Sequence, residues 1–198
     1  MNGDKVCGTE INLETIRQRL SEKDPTRLPF SNDHYRAAAV LIPIVCHDDK
    51  WHLLYTRRTD QVQKHKGQVS FPGGAVEIYD SSREQTALRE AYEEIGVREG
   101  EIQVLGRLYD MLTITGYVVT PVVGQMNWPL DLHLSRDEVS RAFIVPIDWL
   151  ADPENHSEME MVLPDGRREN VVQYNLFDGE KIWGATARLT LNFLQTIL

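Results

Sequence analysis

An α/β fold, with a mixed β-sheet held between helical layers, is predicted by three features of this chain. Short apolar runs at 37–45, 51–56, 102–108, 118–123 and 142–145 read as strands. Helical patterns are few: one near the N-terminus, one ahead of Gly96, and one that closes the chain. With 198 residues and 41% apolar content, the chain is long enough for one sizeable core. Strands interleaved with so few helices pack best as a sheet with helices on its faces.

Taken in order, 12–20 carries Leu13, Ile16 and Leu20 at helical spacing and stops before Asp24-Pro25. The unbroken apolar run 37–45 predicts a buried strand, and 51–56 pairs with it across the polar stretch 47–50. A β-rich run, 68–71, leads into Gly73-Gly74, read as a turn whose backbone can approach a ligand closely. Ser81-x-x-Glu84 fits a capping box at the start of the next helix, and Gly96 fits its left-handed C-terminal cap. Further along, 159–163 and 171–177 flank Pro164-Asp165-Gly166-Arg167, a hairpin signal. Asp178-Gly179 opens another turn, and 185–197 reads as the last helix.

Composition excludes several classes. A net charge of −9 argues against a nucleic-acid binder, whose affinity would come from neutralising phosphates. No apolar run is long enough to span a membrane, and the N-terminus, with Asp4 and Glu10, lacks the apolar core of a signal peptide. Cys7 and Cys46 are too few for a disulfide framework or a zinc site, and the histidines show no ligand spacing. A reduced, soluble, cytoplasmic protein is the expectation. One local exception to the acidic balance matters: Arg57, Arg58, Lys64 and Lys66, with His65, face only Asp60 within 57–67, a stretch suited to an anionic ligand.

The chemistry concentrates in Arg89-Glu90-x-x-Glu93-Glu94-x-Gly96. Glu90, Glu93 and Glu94 stand at i, i+3 and i+4 and share one helical stripe, with Ala87, Leu88, Ala91, Tyr92 and Ile95 expected on the other side. Such like charges repel by a few tenths of a kcal/mol per close pair. Hard divalent cations remove that conflict, and Mg²⁺ characteristically binds a few carboxylates together with substrate phosphates. Arg89 and Glu93 are four apart, so the arginine can fix one glutamate.

The order strand, Gly-Gly, then a helix with R-E-x-x-E-E-x-G resembles the Nudix box of hydrolases that cleave diphosphates linked to another moiety. The general pattern carries glutamate after the glycine and five intervening residues, whereas this chain has Asp80 at that offset from Gly74 and one extra residue before Arg89. Upstream, Leu54-Tyr55-Thr56-Arg57-Arg58-Thr59-x3-Gln63-x3-Gly67-x3-Phe71-Pro72-Gly73-Gly74-x5-Asp80 is similar to the extended motif of the coenzyme A pyrophosphatase branch, in which that aspartate is usual. Tyr55 replaces a leucine of the motif, and Gln63 replaces an arginine of its substrate segment. Matches continue through Thr115-Gly116-Tyr117, Asp137-Glu138-Val139-Ser140 and Trp183-Gly184, so the resemblance spans about 36–190.

The resemblance implies an α/β/α sandwich with a mixed sheet over 36–198, preceded by a helical extension, 1–35, packed on it. It implies hydrolysis of coenzyme A or its derivatives to 4′-phosphopantetheine, or its acyl form, and adenosine 3′,5′-bisphosphate. The alternatives are another diphosphate substrate (NADH, a sugar nucleotide or a nucleoside triphosphate) or a nucleotide sensor without turnover. Mg²⁺ or Mn²⁺ is the implied cofactor, with Gly73, Glu90, Glu93 and Glu94 as ligands. Arg89, Glu93, Glu94 and Glu138 are the implied catalytic groups, Glu138 as a candidate general base. Arg57, Arg58, Lys64, Gly67, Thr115, Gly116 and Tyr117 are the implied substrate contacts, with Arg58 the choice for the 3′-phosphate. The partner is a small nucleotide rather than nucleic acid or membrane, and the oligomeric state admits a homodimer.

Overall fold

The computed structural model describes residues 7, 12–22, 35–59, 67–163 and 166–198. In chain order these form α1 (Leu13–Glu22), β1 (Arg36–His47), β2 (Lys50–Arg58), β3 (Val69–Ser70), β4 (Gly73–Ala75), α2 (Arg83–Ile95), β5 (Ile102–Arg107), β6 (Met111–Leu112), β7 (Tyr117–Met126), β8 (Val139–Pro146), α3 (Ile147–Ala151), β9 (His156–Val162), β10 (Arg168–Tyr174) and α4 (Gly184–Ile197). The main sheet runs β3-β2-β1-β7-β5, with β4 added to β1, β6 to β7 and β8 to β2. β1 and β7 are parallel and the other pairs antiparallel, so the sheet is mixed as expected. β9 and β10 form a separate antiparallel hairpin.

The pleat of the central strands explains the layers. Leu41 and Val45 of β1 and Leu54 of β2 point to one face, where they bury Ala87, Leu88, Ala91 and Ile95 of α2. Ile42 and Ile44, with Leu53 and Tyr55, point to the other and pack with Ile16 and Leu20 of α1 and Phe193, Leu194 and Ile197 of α4. A sheet covered on both faces needs apolar residues at consecutive positions, which is why β1 reads as an unbroken hydrophobic run. The result is an α/β/α sandwich. Arg19 of α1 donates to the Ile197 carbonyl, tying α1 to the end of α4. Among the described residues no helix is long and apolar enough to cross a membrane.

Four local expectations are corrected. Gly73-Gly74 is a strand rather than a turn: β4 pairs antiparallel with β1, placing Gly73 opposite Val40 and Gly74 opposite Ala39. The α2 cap is Ser82, whose side chain accepts from the Gln85 amide, while Glu84 turns to Arg107 at 3.0 Å. Tyr92 is 58% exposed, because Glu94 takes the buried flank of the helix beside Ala91 and Ile95. Cys7 and Cys46 are joined in a disulfide with Cα atoms 5.8 Å apart, so the reading of reduced thiols does not hold. Both lie with Ile16 and Leu20 on the α1 side of the sheet, a juxtaposition that spacing in sequence does not reveal. Gly96 has φ 74° and closes α2 through its amide to the Tyr92 carbonyl, as its position implied. Pro164 and Asp165 of the β9–β10 turn lie outside the described residues. α3 and the two-residue strands β3 and β6 are too short to leave a periodic signal.

Candidate active site

Arg89 organises one end of α2. Its Nε and Nη2 donate to the two carboxylate oxygens of Asp80, each at 3.0 Å, in a bidentate fork. Nη1 reaches Glu90 Oε1 at 2.9 Å and Glu93 Oε2 at 3.0 Å, and Nη2 also donates to the Ala75 carbonyl at 3.0 Å. One guanidinium thus clamps α2 to β4 and to the loop between them. The Asp80 side chain, 1% exposed, further accepts from the Glu77 amide and the Thr86 hydroxyl. The Arg89 fork is the main reason its carboxyl titrates at about 2 rather than 3.8, and Asp80 in turn raises the Arg89 pKa. The sequence singled out Arg89 and Glu93 but assigned Asp80 no role. Its position six residues after Gly74 was the available signal.

Replacing Asp80 by Asn halves that fork and leaves a buried guanidinium short of an anion. The expected loss is about 3 kcal/mol of folding stability, read from denaturant midpoints at neutral pH. Because the Asp80 pKa is depressed on folding, its contribution is present above pH 3.8 and lost as pH falls toward about 2. Asp80→Asn should therefore flatten the acid limb of the stability profile. An unchanged acid limb would show that the fork carries no net stability.

Glu90 and Glu94 lie on the flank of α2 that faces β4. A Cβ on Gly74 would collide with the Glu90 carboxylate, so this carboxylate rests directly on the glycine backbone. A Cβ on Gly73 would meet the Ala39 carbonyl at 2.6 Å, so the β1–β4 pairing also requires glycine there. Burial raises the Glu90 pKa. Burial also pushes Glu94 up to about 8, against the pull of Arg58 and a hydrogen bond from the Gly73 backbone. The Glu94 side chain is 2% exposed, and its Oε2 has no hydrogen-bond partner among the described residues. A buried carboxylate with a free oxygen, backed by a second carboxylate, suits a hard divalent cation bound through oxygen. Glu93 leans outward to Arg89 and is 51% exposed. Among the described residues no three acidic, histidine or cysteine side chains converge as a ready-made metal cluster.

Glu138 precedes β8 in a loop fastened from both sides. The Ser135 amide bonds to the Glu94 carbonyl at 2.9 Å and the Glu138 amide to the Ser135 carbonyl at 3.0 Å. The Thr59 amide donates to the Glu138 carbonyl at 2.8 Å. Its side chain is exposed, yet its charge helps raise the pKa of both Glu90 and Glu94. Glu138, Glu90 and Glu94 therefore share one electrostatic neighbourhood.

The basic stretch divides. Arg58 reaches toward Glu94, whereas Arg57 faces the opposite layer and meets Glu180, a 6% exposed carboxylate shared with Arg141. The Arg57–Glu180–Arg141 network was invisible in sequence, because its members are 123 and 39 residues apart. Gly67 has φ 64° just before β3, and Lys64 lies outside the described residues. Thr115 and Gly116 form the β6–β7 turn, where the Gly116 carbonyl accepts from the Arg36 amide at 2.9 Å. Tyr117 packs half-buried against the core on the α4 side. This turn stands at the β1 end that also carries Ala75, through the register Arg36 to Tyr117 and Ala38 to both Val119 and Ala75.

A carboxylate helix fastened by one arginine to a glycine strand, with a further glutamate beside it, is an acidic face whose oxygen donors suit a divalent cation. The NUDIX domain model matches residues 35–165. A protein of Photorhabdus laumondii called "Uncharacterized Nudix hydrolase NudL" is 38% identical over 187 residues, covering 94% of this chain and 98% of that protein. One of the same name from Yersinia enterocolitica is 36% identical over 198 residues, covering 100% and 99%. Among solved structures, a C. elegans Ap4A hydrolase binary complex matches with a TM-score of 0.48 at 19% identity, over 57% of this chain and 81% of that one. The NUDIX domain of Shewanella oneidensis NrtR, crystallised with ADP ribose, gives 0.46 at 20% identity, over 62% and 80%. The chain belongs to the Nudix hydrolases and is a diphosphate hydrolase acting on a nucleoside diphosphate derivative. Members of this family generally use divalent metal ions.

Proposed function

We propose that the substrate is coenzyme A or one of its thioesters and oxidised forms, cleaved to 4′-phosphopantetheine, or its derivative, and adenosine 3′,5′-bisphosphate. The observation that supports this is Asp80. The branch that resembles this chain carries aspartate at that offset, and here the aspartate fastens Arg89 through both oxygens. The departure from the general Nudix spacing is thus built into the site.

Glu90 and Glu94 would hold Mg²⁺ or Mn²⁺, with the Gly73 carbonyl as a further donor and Glu93 as ligand or partner of Arg89. The cation supplies charge neutralisation at the diphosphate and makes water a better nucleophile. Arg89 fixes the rotamers of Glu90 and Glu93 so that the acidic face is organised before substrate arrives. Glu138 stands at the open side of this face, where it can take a proton from attacking water. Thr115, Gly116 and Tyr117 border the site at the β6–β7 turn, and the stretch containing Arg58, Lys64 and Gly67 offers the positive charge.

Coenzyme A differs from most adenine diphosphates by its 3′-phosphate. The kcat/KM for coenzyme A should exceed that for the 3′-dephospho form by roughly tenfold to a hundredfold, the effect of one charge-assisted contact of ~1.5–3 kcal/mol. Equal values would remove the 3′-phosphate contact. A higher value for NADH or a sugar nucleotide would transfer the assignment to that substrate.

A further inference from the structure

Unbroken pairing of β2 with β8 would set Arg58 against Ser140 and Thr59 against Val139, continuing the register in which Arg57 lies opposite Arg141. Instead Arg58 lies opposite Val139, and Ser140 is the extra residue of a bulge. The Ser140 hydroxyl donates to the Arg57 carbonyl at 3.1 Å and holds the bulge in place. Bulges recur beside active sites, where they re-aim a side chain. Here the one-residue shift brings Thr59 level with Glu138, whose carbonyl accepts from the Thr59 amide at 2.8 Å.

Thr59 makes a second bond to the same turn. Its hydroxyl donates to the Asp137 carbonyl at 2.9 Å, so one residue at the end of β2 grips two successive carbonyls. Thr59 is only 7% exposed, while Asp137 and Glu138 are exposed, so the firm partner is Thr59. The turn does not need these bonds for its own shape. The Glu138 and Val139 amides both donate to the Ser135 carbonyl, at 3.0 and 2.7 Å, and close it internally. What the Thr59 bonds fix is where the closed turn stands against β2. The Glu138 side chain is exposed, so its backbone decides where the carboxylate can reach.

We propose that Thr59 is a positioning residue for Glu138: its hydroxyl and amide hold the turn that carries the carboxylate, and the Ser140 bulge sets which residues they grip. This rests on Glu138 as the base that takes a proton from water, and not on the choice of substrate. Thr59 itself touches neither water nor diphosphate. Its whole effect passes through Glu138, which separates it from a residue that only supports the fold.

Steady-state kinetics of the parent, Thr59→Val, Thr59→Ser, Glu138→Gln and the Thr59→Val/Glu138→Gln double variant test this. Each is assayed in saturating Mn²⁺ with whichever of coenzyme A, its 3′-dephospho form and NADH the parent hydrolyses fastest. Valine keeps the branched shape and the amide and removes only the hydroxyl, and the exposed Asp137 carbonyl can turn to water. Thr59→Val should lower kcat roughly tenfold with KM within about twofold, because misplacing a reacting group by about 1 Å costs up to ~10²-fold. Thr59→Ser, which restores the hydroxyl, should bring kcat back to within about threefold of the parent. On the Glu138→Gln background the change to valine should cost less than about twofold, since no base is left to misplace. Hydrogen exchange gives a reading without turnover. Amides 136–139 should exchange faster in Thr59→Val by about threefold or more, while those of α2 and α4 keep their parent rates. If Thr59→Val does not fold, Ser140→Ala, which loosens the bulge, carries the same cycle with a smaller expected loss.

An equal loss on both backgrounds would overturn the proposal and make Thr59 a support of the fold. So would a raised KM with unchanged kcat, or a Thr59→Ser variant as slow as Thr59→Val. Full activity of Thr59→Val beside a crippled Glu138→Gln would overturn it while leaving Glu138 as the base. Parent activity in Glu138→Gln would remove the base itself, and the proposal with it.

Discussion

Glu94→Gln is expected to lower kcat by roughly two to four orders of magnitude while α2 stays folded. Glutamine has nearly the same shape, so the packing of α2 on β1 is kept, but it offers no negative charge to a cation at the most enclosed point of the site. Activity of the parent enzyme should likewise vanish in EDTA and return with Mg²⁺ or Mn²⁺. Full turnover by metal-free enzyme would refute the carboxylate-bound cation. A second readout needs no catalysis. Folding raises the Glu94 pKa from 4.5 to about 8, so between those values the folded chain keeps a proton that the unfolded chain has released. Stability of the metal-free protein should therefore fall as pH rises through that window, by up to a few kcal/mol. Glu94→Gln should abolish this slope, because no proton is left to lose. Added Mg²⁺ should restore stability on the alkaline side by binding the ionised form.

The layers and the acidic helix were legible in the sequence because each rests on short-range periodicity. Continuous apolar residues in β1 announce a strand buried on two faces, and Ala87, Leu88, Ala91 and Ile95 announce the side of α2 that meets it. The position of Tyr92 was misread for a physical reason. Hydrophobicity alone placed it inward, but the space beside Ala91 and Ile95 is taken by Glu94, a burial that no hydropathy pattern anticipates. Likewise Gly73-Gly74 suggested a turn through composition, whereas its actual constraint is the close approach of Glu90 and of the β1 backbone. Contacts between distant segments were the least legible. The Cys7–Cys46 bond, the sharing of Glu180 by Arg57 and Arg141, and the turning of Arg58 toward Glu94 all depend on which face a strand presents. At Arg58 that direction follows the alternation of β2, which puts it on the face of Leu54, but the presence of Glu94 on that face depends on how α2 packs and leaves no mark in residue spacing.

Glu138→Gln tests the proton transfer. A base must be fixed within reach of its water, and Glu138 is fixed by the Ser135 and Thr59 backbone bonds that tie its loop to α2 and β2. The rival within the helix, Glu93, has its Oε2 engaged by Arg89 at 3.0 Å and must leave that contact to reach a water. Glu138→Gln should therefore reduce kcat by ~10²-fold or more, with a smaller change in KM. Its removal has an independent electrostatic signature, because Glu138 is one of the charges that raise the Glu94 pKa. Loss of that neighbour makes ionisation of Glu94 easier, so the stability window described above should shift to lower pH in the metal-free variant. A shifted window with unchanged kinetics would leave Glu138 near the site but outside the reaction. Wild-type kinetics across pH together with an unshifted window would remove it from the site altogether and make Glu93, freed from Arg89 when substrate binds, the next base to test.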